Sequence, residues 1–436
     1  MLIRPAAARW ALGRASPDVA SRRALGLPTD RPIVMTGHQP EIWHPGILAK
    51  YLAAEAAARA LGAEPAWLVV DQERPESVSI RYPARREDGS WRAVTATLAA
   101  SIEPERGTPA EVAEGLAQIA QAWSRHDAPT VAARVAGTLT DLMSPLVPRA
   151  PIILATDLHR TPIMASLVAR MARDPEACVG AYNAAVAAHP AAGVRPLVAN
   201  PVQDRYELPL WHLPPGAPRR HVHAEDLASI PLHELAPKAL LMTAIARLSL
   251  CDLFIHGTGG GGGAAEGDDG HAGASEHGGY DLVTDRWLGA WLGADVALAP
   301  VTVVTATLRL PLSAEPAPTP AEAARARWLA HHARHEPSAI GDDAAAARKR
   351  AIVDRVRASR GPDRRAAFRE MHAMLDDWRR ARAADLAALD ARAESMRARL
   401  ADSEVLMDRT WPFPLYPPTM LRDLQQQIRS EFGRDR

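Results

Sequence analysis

Apolar and polar positions alternate between two periods in the first third of the chain. Arg31 to Gly37, "RPIVMTG", is a short apolar run closed by glycine and predicts a buried strand. "GILAKYLAAEAAARALG" carries the helical period and stops at Gly62. "PAWLVVDQE", Pro65 to Glu73, is a second apolar run that ends in acids. Strand, helix and strand in this order form a βαβ unit, which implies a parallel sheet with a right-handed crossover. In such sheets ligands sit beyond the carboxyl ends of the strands. That expectation puts His38, His44 and Asp71 on one rim.

Further along, "SVSIRYPAR" and "SWRAVTATLA" alternate around "REDGS" and predict a hairpin. "TPAEVAEGLAQIAQAW" and "TVAARVAGTLTDLMSPL" read as amphipathic helices. "APIILATDLHRTP" reads as a buried strand leading to Asp157 and His159, with a helical stretch after it. "RPLVANPVQDRYELPLWHL" is extended. A helix and a strand, Leu253 to His256, lead into a glycine run, and "YDLVTDRWLGAWLG" restarts a helix. From about Pro320 the pattern is helical and charged. Its sparse apolar stripe is Phe368, Met371, Met374, Leu375, Trp378, Leu386 and Leu389, which predicts a helical hairpin or coiled coil turning at "GPDRR". The expected fold is α/β: a Rossmann-like parallel sheet core with a C-terminal α-helical coiled-coil hairpin. The expected divisions are an extension over 1–30, a core over 31–315 with a glycine-rich insert at 257–279, a helical arm over 316–403, and a tail over 404–436 that packs on the core.

Composition narrows the class. Lys+Arg and Asp+Glu both total 51, so the net charge is zero and nothing resembles the basic footprint of a nucleic-acid binder. No apolar run is long enough to span a bilayer. The two cysteines, Cys178 and Cys251, lie far apart in apolar stretches and read as buried thiols of a reducing compartment. A cytoplasmic protein is expected, without nucleic-acid or membrane partners.

The chemistry-bearing stretches lie at strand ends. His44-Pro45-Gly46 opens a helix after a glycine turn, where nucleotidylyl transferases place a His-x-Gly-His element facing phosphate oxygens. Here Ile47 stands at the second histidine position. The bland alternative is a capping turn whose histidines bond to backbone. Asp71 with Glu73, and Asp157 with His159, place carboxylates and an imidazole at two further strand ends. "FIHGTGG" puts His256 before a flexible backbone that fits neither phosphate-loop motif. Tyr280 and Asp281 follow the glycine-rich insert. Sixteen histidines invite a metal site, but tight zinc spacing is missing and "AHHARH" reads as a solvated helix face, so no metal is expected.

"VMTGHQPEIWHPGILAKYLAAEAAARALGAEPAWLVVDQERPESVSI" resembles the core entry of the bacillithiol synthase family, the cysteine-adding enzymes. In that family a strand runs into T-G-Q-Q-P, then a helix with a lysine near its start, then an apolar strand with an acidic end. Thr36, Gly37, Gln39, Pro40 and Lys50 match, His38 replaces the first glutamine, and Asp71 and Glu73 match the acidic end loosely. The order of elements also agrees through "VGAYNAAVAAH", the helix, strand and glycine turn near His256, and the charged C-terminal helices. "FIHGTGG…YDLVTD" followed by "VTATLRLP" resembles a distinct branch.

The resemblance implies a ligase that joins cysteine, or another amino acid, to the amine of a sugar conjugate such as glucosaminyl malate. It implies ATP or ADP as cofactor unless the carboxyl donor arrives activated. It also implies catalysis by His38 and His44 at an anion-binding helix mouth, Asp71 holding the amine, and backbone donors from Gly257 and Gly259. Two other readings stay open: a nucleotidylyl transferase on the same core, and a non-catalytic assembly protein. The stripe on the arm suggests a homodimer.

Overall fold

The two apolar runs of the βαβ unit become neighbouring parallel strands at the centre of a six-stranded sheet. The computed structural model describes residues 2–4, 18–73, 77–200, 202, 205–257, 279–312 and 318–433. Its strands are β1 (Leu2–Arg4), β2 (Ile33–His38), β3 (Glu64–Val69), β4 (Ser79–Arg85), β5 (Trp91–Thr97), β6 (Ile152–Leu154), β7 (Ala199–Asn200), β8 (Arg205–His212), β9 (Arg220–His223), β10 (Leu235–Pro237), β11 (Leu253–His256) and β12 (Val301–Thr305). The main sheet runs β1-β12-β11-β2-β3-β6. All its pairs are parallel except β1 with β12. Counted along the chain, the five parallel strands lie in the order 3-2-1-4-5, the doubly wound arrangement in which strand order reverses between β2 and β11. The fold is thus mixed α/β with a Rossmann-like parallel core.

The described residues fall into two units: Met1–Tyr82 with Val94–Leu308 and Arg409–Arg436, and Pro83–Ala93 with Arg309–Asp408. The first unit carries helices α1 (Val19–Ala24), α2 (Pro45–Leu61), α3 (Ala110–Ser124), α4 (Val131–Met143), α5 (Pro162–Arg173), α6 (Pro175–Ala188), α7 (Ala239–Ile245) and α8 (Tyr280–Leu292). The second carries α9 (Pro320–Ala333), α10 (Asp343–Ala358), α11 (Gly361–Ala381) and α12 (Ala383–Leu406); α13 (Pro418–Gly433) belongs to the first.

Helix α2 lies against β2, β3, β11 and β12 and also against α13. Its alanines Ala53, Ala54, Ala56, Ala57 and Ala58 are all buried, so neighbours approach its backbone from several sides. The helix ends at Gly62 in the left-handed conformation. A large apolar cluster joins α5 to α8 with the strands around β8, and Trp287 at its centre donates to the Cys178 carbonyl at 3.2 Å. Cys178 and Cys251 are free and buried, and burial pushes both thiols up to about 12.

Three expectations shift. Strand β3 ends at Val69, so Asp71 and Glu73 stand in the loop after it. Strand β6 has three residues and gives way to a 3₁₀ turn over Ala155–Arg160, which carries Asp157 and His159. The helical stretch after Pro162 breaks before Pro175, which cannot continue a helix, and the Asp174 carboxylate caps the new one by accepting from the Ala177 N–H at 2.9 Å.

In the second unit α10 packs on α11, and α9 on α12. Met374, Leu375, Trp378 and Leu386 of the apolar stripe are buried within these pairs, whereas Phe368 is 48 % exposed. The residues "AHHARH" close α9, with His331 and His332 in its last turn. Among the described residues, no helix is long and apolar enough to cross a membrane.

The amino end of the sheet is tied by one buried ion pair. Arg22 is 1 % exposed; it donates from Nη2 to Asp252 Oδ2 at 2.6 Å and from Nε to the Leu250 carbonyl at 3.0 Å. The same Asp252 oxygen accepts from the Ile33 N–H at 2.8 Å. The pair therefore joins α1 to the starts of β2 and β11. Asp252→Ala strands a buried guanidinium and should cost about 3–5 kcal/mol. Urea unfolding checks this as a lower midpoint at an unchanged slope.

Candidate active site

A cavity of about 520 Å³ opens at the carboxyl end of β2 and the start of α2. His38, Glu41, His44, Gly46 and Lys50 line one side, with Ile42, Trp43 and Ile47 between them. Ser79 and Arg81 come from β4, Thr305 from β12, Gly257 from the end of β11, and Thr410 and Pro412 from the segment before α13. Gly257 and the β2–α2 turn flank the reversal of strand order, the position where doubly wound sheets hold their ligands.

Close packing fixes the turn. A Cβ on Gly37 would sit 2.6 Å from the Leu68 carbonyl, so β2 and β3 could not approach as they do. A Cβ on Gly46 would meet the Ala306 carbonyl and the His44 ring, both at 2.8 Å. Trp43 is held at three points. Its indole N–H donates to the Gln39 carbonyl at 2.9 Å, its carbonyl accepts from the Phe413 N–H at 2.7 Å, and its ring stacks on Tyr51 at 4.2 Å.

The two histidines differ in role. His44 is the N-cap of α2; its Nδ1 accepts from the Gly46 N–H at 3.1 Å. That bond requires the proton on Nε2. Burial lowers the imidazole to about 4, with the neighbouring His38 adding to the shift. The Ile47 and Leu48 N–H groups both donate to the His44 carbonyl, and Pro45 has no N–H. The N–H groups of Gly46, Ile47 and Leu48 are thus all bonded within the turn. His38 Nε2 lies 3.3 Å from Glu41 Oε1. Burial lowers His38, with the Lys50 charge adding, while the bond from His38 lowers Glu41. The result is a neutral imidazole beside a carboxylate, oriented with Nδ1 as its basic atom.

Lys50 is 5 % exposed, and its ammonium donates to the Gly37 carbonyl at 2.8 Å. Burial brings it down to about 8, with Glu41 opposing. Arg81 lies over the Trp411 ring at 5.3 Å and brings a second cation to the cavity lining.

Several sequence candidates lie elsewhere. The Thr36 hydroxyl is buried and donates to the Ile255 carbonyl at 2.8 Å, a link between strands. Gln39 is exposed and Gly37 acts through its carbonyl. Asp71 does not line this cavity. Its two oxygens accept from the Thr156 N–H at 2.9 Å and the Thr156 hydroxyl at 2.5 Å. It lines a second cavity of about 470 Å³ with Glu73, His159, His233 and the start of α4. His159 Nδ1 donates to the Thr156 carbonyl at 2.6 Å, and Asp157 lies 3.8 Å from Arg160 on the surface. His256 and Asp281 are packed together behind Gly257, and Tyr280 is partly exposed. Gly259 and the rest of 258–278 lie outside the described residues. Sequence reading missed Glu41, although it stands three residues from each histidine. It also missed Ser79, Arg81, Thr305 and Thr410, which carry no local signal.

No family model matches the chain, and no curated protein matches it either.

Capping and chemistry at His44 separate by substitution. His44→Ala should cost about 0.5–2 kcal/mol, the price of an N-cap, and His44→Asn should restore most of it. Because the folded state holds this imidazole near 4 against 6.5 in the unfolded chain, its share of stability is full above pH 6.5 and lost as pH falls towards 4. Urea midpoints between pH 4 and 7 should show a shallower acid slope in His44→Asn than in the parent.

Proposed function

We propose that the protein is a C–N bond-forming enzyme of the bacillithiol synthase type, acting on a carboxylate-bearing small molecule in the 520 Å³ cavity. The observation that carries the reading is Lys50. An ammonium taken out of water and satisfied, among the described residues, by a single carbonyl calls for an anion. Arg81 lines the same cavity and supplies a second cation, so a dicarboxylate such as the malate part of glucosaminyl malate suits the pair. The volume lies in the range of small-molecule sites.

The chemistry assigned to the chain is proton transfer. An ammonium must lose a proton before its nitrogen attacks a carbonyl carbon. As the C–N bond forms and the bond to the leaving group breaks, a second proton goes with that group. His38, kept neutral by burial and oriented by Glu41, suits the first transfer. The carboxyl donor enters this reading already activated. Cysteine as donor, cytoplasmic location and a homodimer belong to the same proposal. So does the reading of the helix pairs α9–α12 and α10–α11 as one antiparallel coiled-coil arm.

Thermal melts with malate, cysteine, glucosaminyl malate, ATP and ADP test it. A ligand at a hundred times its dissociation constant adds about 2.7 kcal/mol. Malate and glucosaminyl malate should raise the melting temperature of the parent and leave Lys50→Met unmoved. With an activated cysteine donor, mass spectrometry should find the amide. His38→Gln should slow its formation about 10²–10⁴-fold with little change in melting. A shift with ATP alone would sink the proposal.

A further inference from the structure

Five carboxylates are buried among the described residues: Glu55, Asp71, Glu207, Asp252 and Asp281. Four of them have a basic side chain alongside. Glu55 has Arg59 at 3.0 Å, Glu207 has Lys238 at 2.6 Å, Asp252 has Arg22 at 2.6 Å and Asp281 has Arg247 at 3.6 Å. Asp71, 8 % exposed, has no ion pair among the described residues. The side-chain and main-chain donors that reach it from Thr156 are neutral, an N–H at 2.9 Å and a hydroxyl at 2.5 Å. Of the five, Asp71 is also the one that lines either cavity. A carboxylate taken out of water without a cation is costly, and here the open volume beside it can admit one.

The second cavity, of about 470 Å³, lies at the carboxyl ends of β3 and β6. Thr156 fixes two of its polar groups at once. It donates twice to Asp71, and its carbonyl accepts from His159 Nδ1 at 2.6 Å. A neutral His159 then carries its acceptor on Nε2. Glu73 is largely exposed, and its Oε1 accepts from Arg219 at 2.7 Å. Leu213, Leu235 and Val131 add apolar surface to the lining. No lysine or arginine lines this cavity, whereas Lys50 and Arg81 line the first. Two cavities of opposite charge thus sit at the carboxyl edge of one sheet.

We propose that the second cavity is a binding site for a small alkylammonium ion, with its charge on Asp71 and its hydrocarbon part against Leu213, Leu235 and Val131. The site lies outside the cavity assigned to the dicarboxylate, so it stands or falls apart from the reading above. The chemistry favours this ligand over its rivals. Among the described residues, the group with metal-ligand spacing is His223, Glu225 and Asp226, none of which lines the cavity. Thr156 already bonds both Asp71 oxygens in the forked manner a guanidinium would use, whereas an ammonium is a point charge that needs one lone pair. A neutral alcohol brings no charge to offset the carboxylate. The apolar walls suit a hydrocarbon chain better than a hydroxylated ring. Burial pushes the Asp71 carboxyl up, with Asp157 adding, and an arriving cation would hold it in the charged form.

The probe is n-butylammonium, titrated into the full chain and followed by ligand-observed NMR, with n-butanol and butyrate as analogues of the same length. The parent should bind the ammonium and bind neither analogue as tightly. Asp71→Asn keeps an acceptor and a donor for Thr156 and removes the charge, so it should weaken n-butylammonium by about tenfold or more, the loss of one charged hydrogen bond. Val131→Trp leaves Asp71 in place and fills the cavity, and it should weaken binding as well. The proposal is overturned if the parent fails to bind n-butylammonium, if it binds either analogue equally well, or if Asp71→Asn or Val131→Trp binds n-butylammonium like the parent. Should Asp71→Asn fail to fold, the three ligands on the parent and the Val131→Trp titration still decide.

Discussion

From Pro45 to Ala58 helix α2 turns almost no surface to water, and the site depends on that constraint. The sheet takes one side and α13 another, with small side chains in between. A charge on such a helix must find its partner inside the protein. Glu55 does so with Arg59 at 3.0 Å and Arg429 at 3.2 Å. Among the described residues Lys50 finds a single carbonyl. The helix cannot turn or slide to relieve that imbalance, because Trp43 is pinned by Gln39, Phe413 and Tyr51 and the first turn is closed by His44. A cation is therefore held in place beside an open volume.

The two ends of β11 treat aspartate in opposite ways. Before the strand, Asp252 accepts from a guanidinium and from a backbone N–H, and it serves cohesion. After the strand, Asp281 on α8 accepts from nothing among the described residues. Both are buried and both have an arginine close by; what separates them is where the arginine's N–H groups point. An unmet group of this kind lowers stability, and proteins tolerate it where function gains from it.

The βαβ unit was legible because its signals are local: an apolar run, a glycine stop, a proline and a histidine at a helix start. The strand-end positions of His38, His44, Asp71 and His256 follow from the same local pattern. Their grouping does not. Asp71 is drawn off by Thr156, a partner 85 positions away, and so lines a different cavity. The walls made by Arg81, Thr305 and Thr410 come from a hairpin, a distant strand and the tail, which no window of sequence joins. The His44 motif supported two readings because a histidine that caps and a histidine that binds phosphate occupy the same position. Only the direction of the Gly46 N–H separates them.

The strand order also governs when the sheet can close. Strand β2 leaves the ribosome early, yet its neighbour on one side, β11, begins at Leu253, and β12 follows at Val301. At 5–20 residues per second, β2 waits on the order of 10–40 s with one backbone edge open. Throughout that interval Ile33, Val34 and Met35 have β3 beside them but not β11. The nascent chain therefore carries an unpaired apolar strand edge for about half of its own synthesis, until β11 emerges.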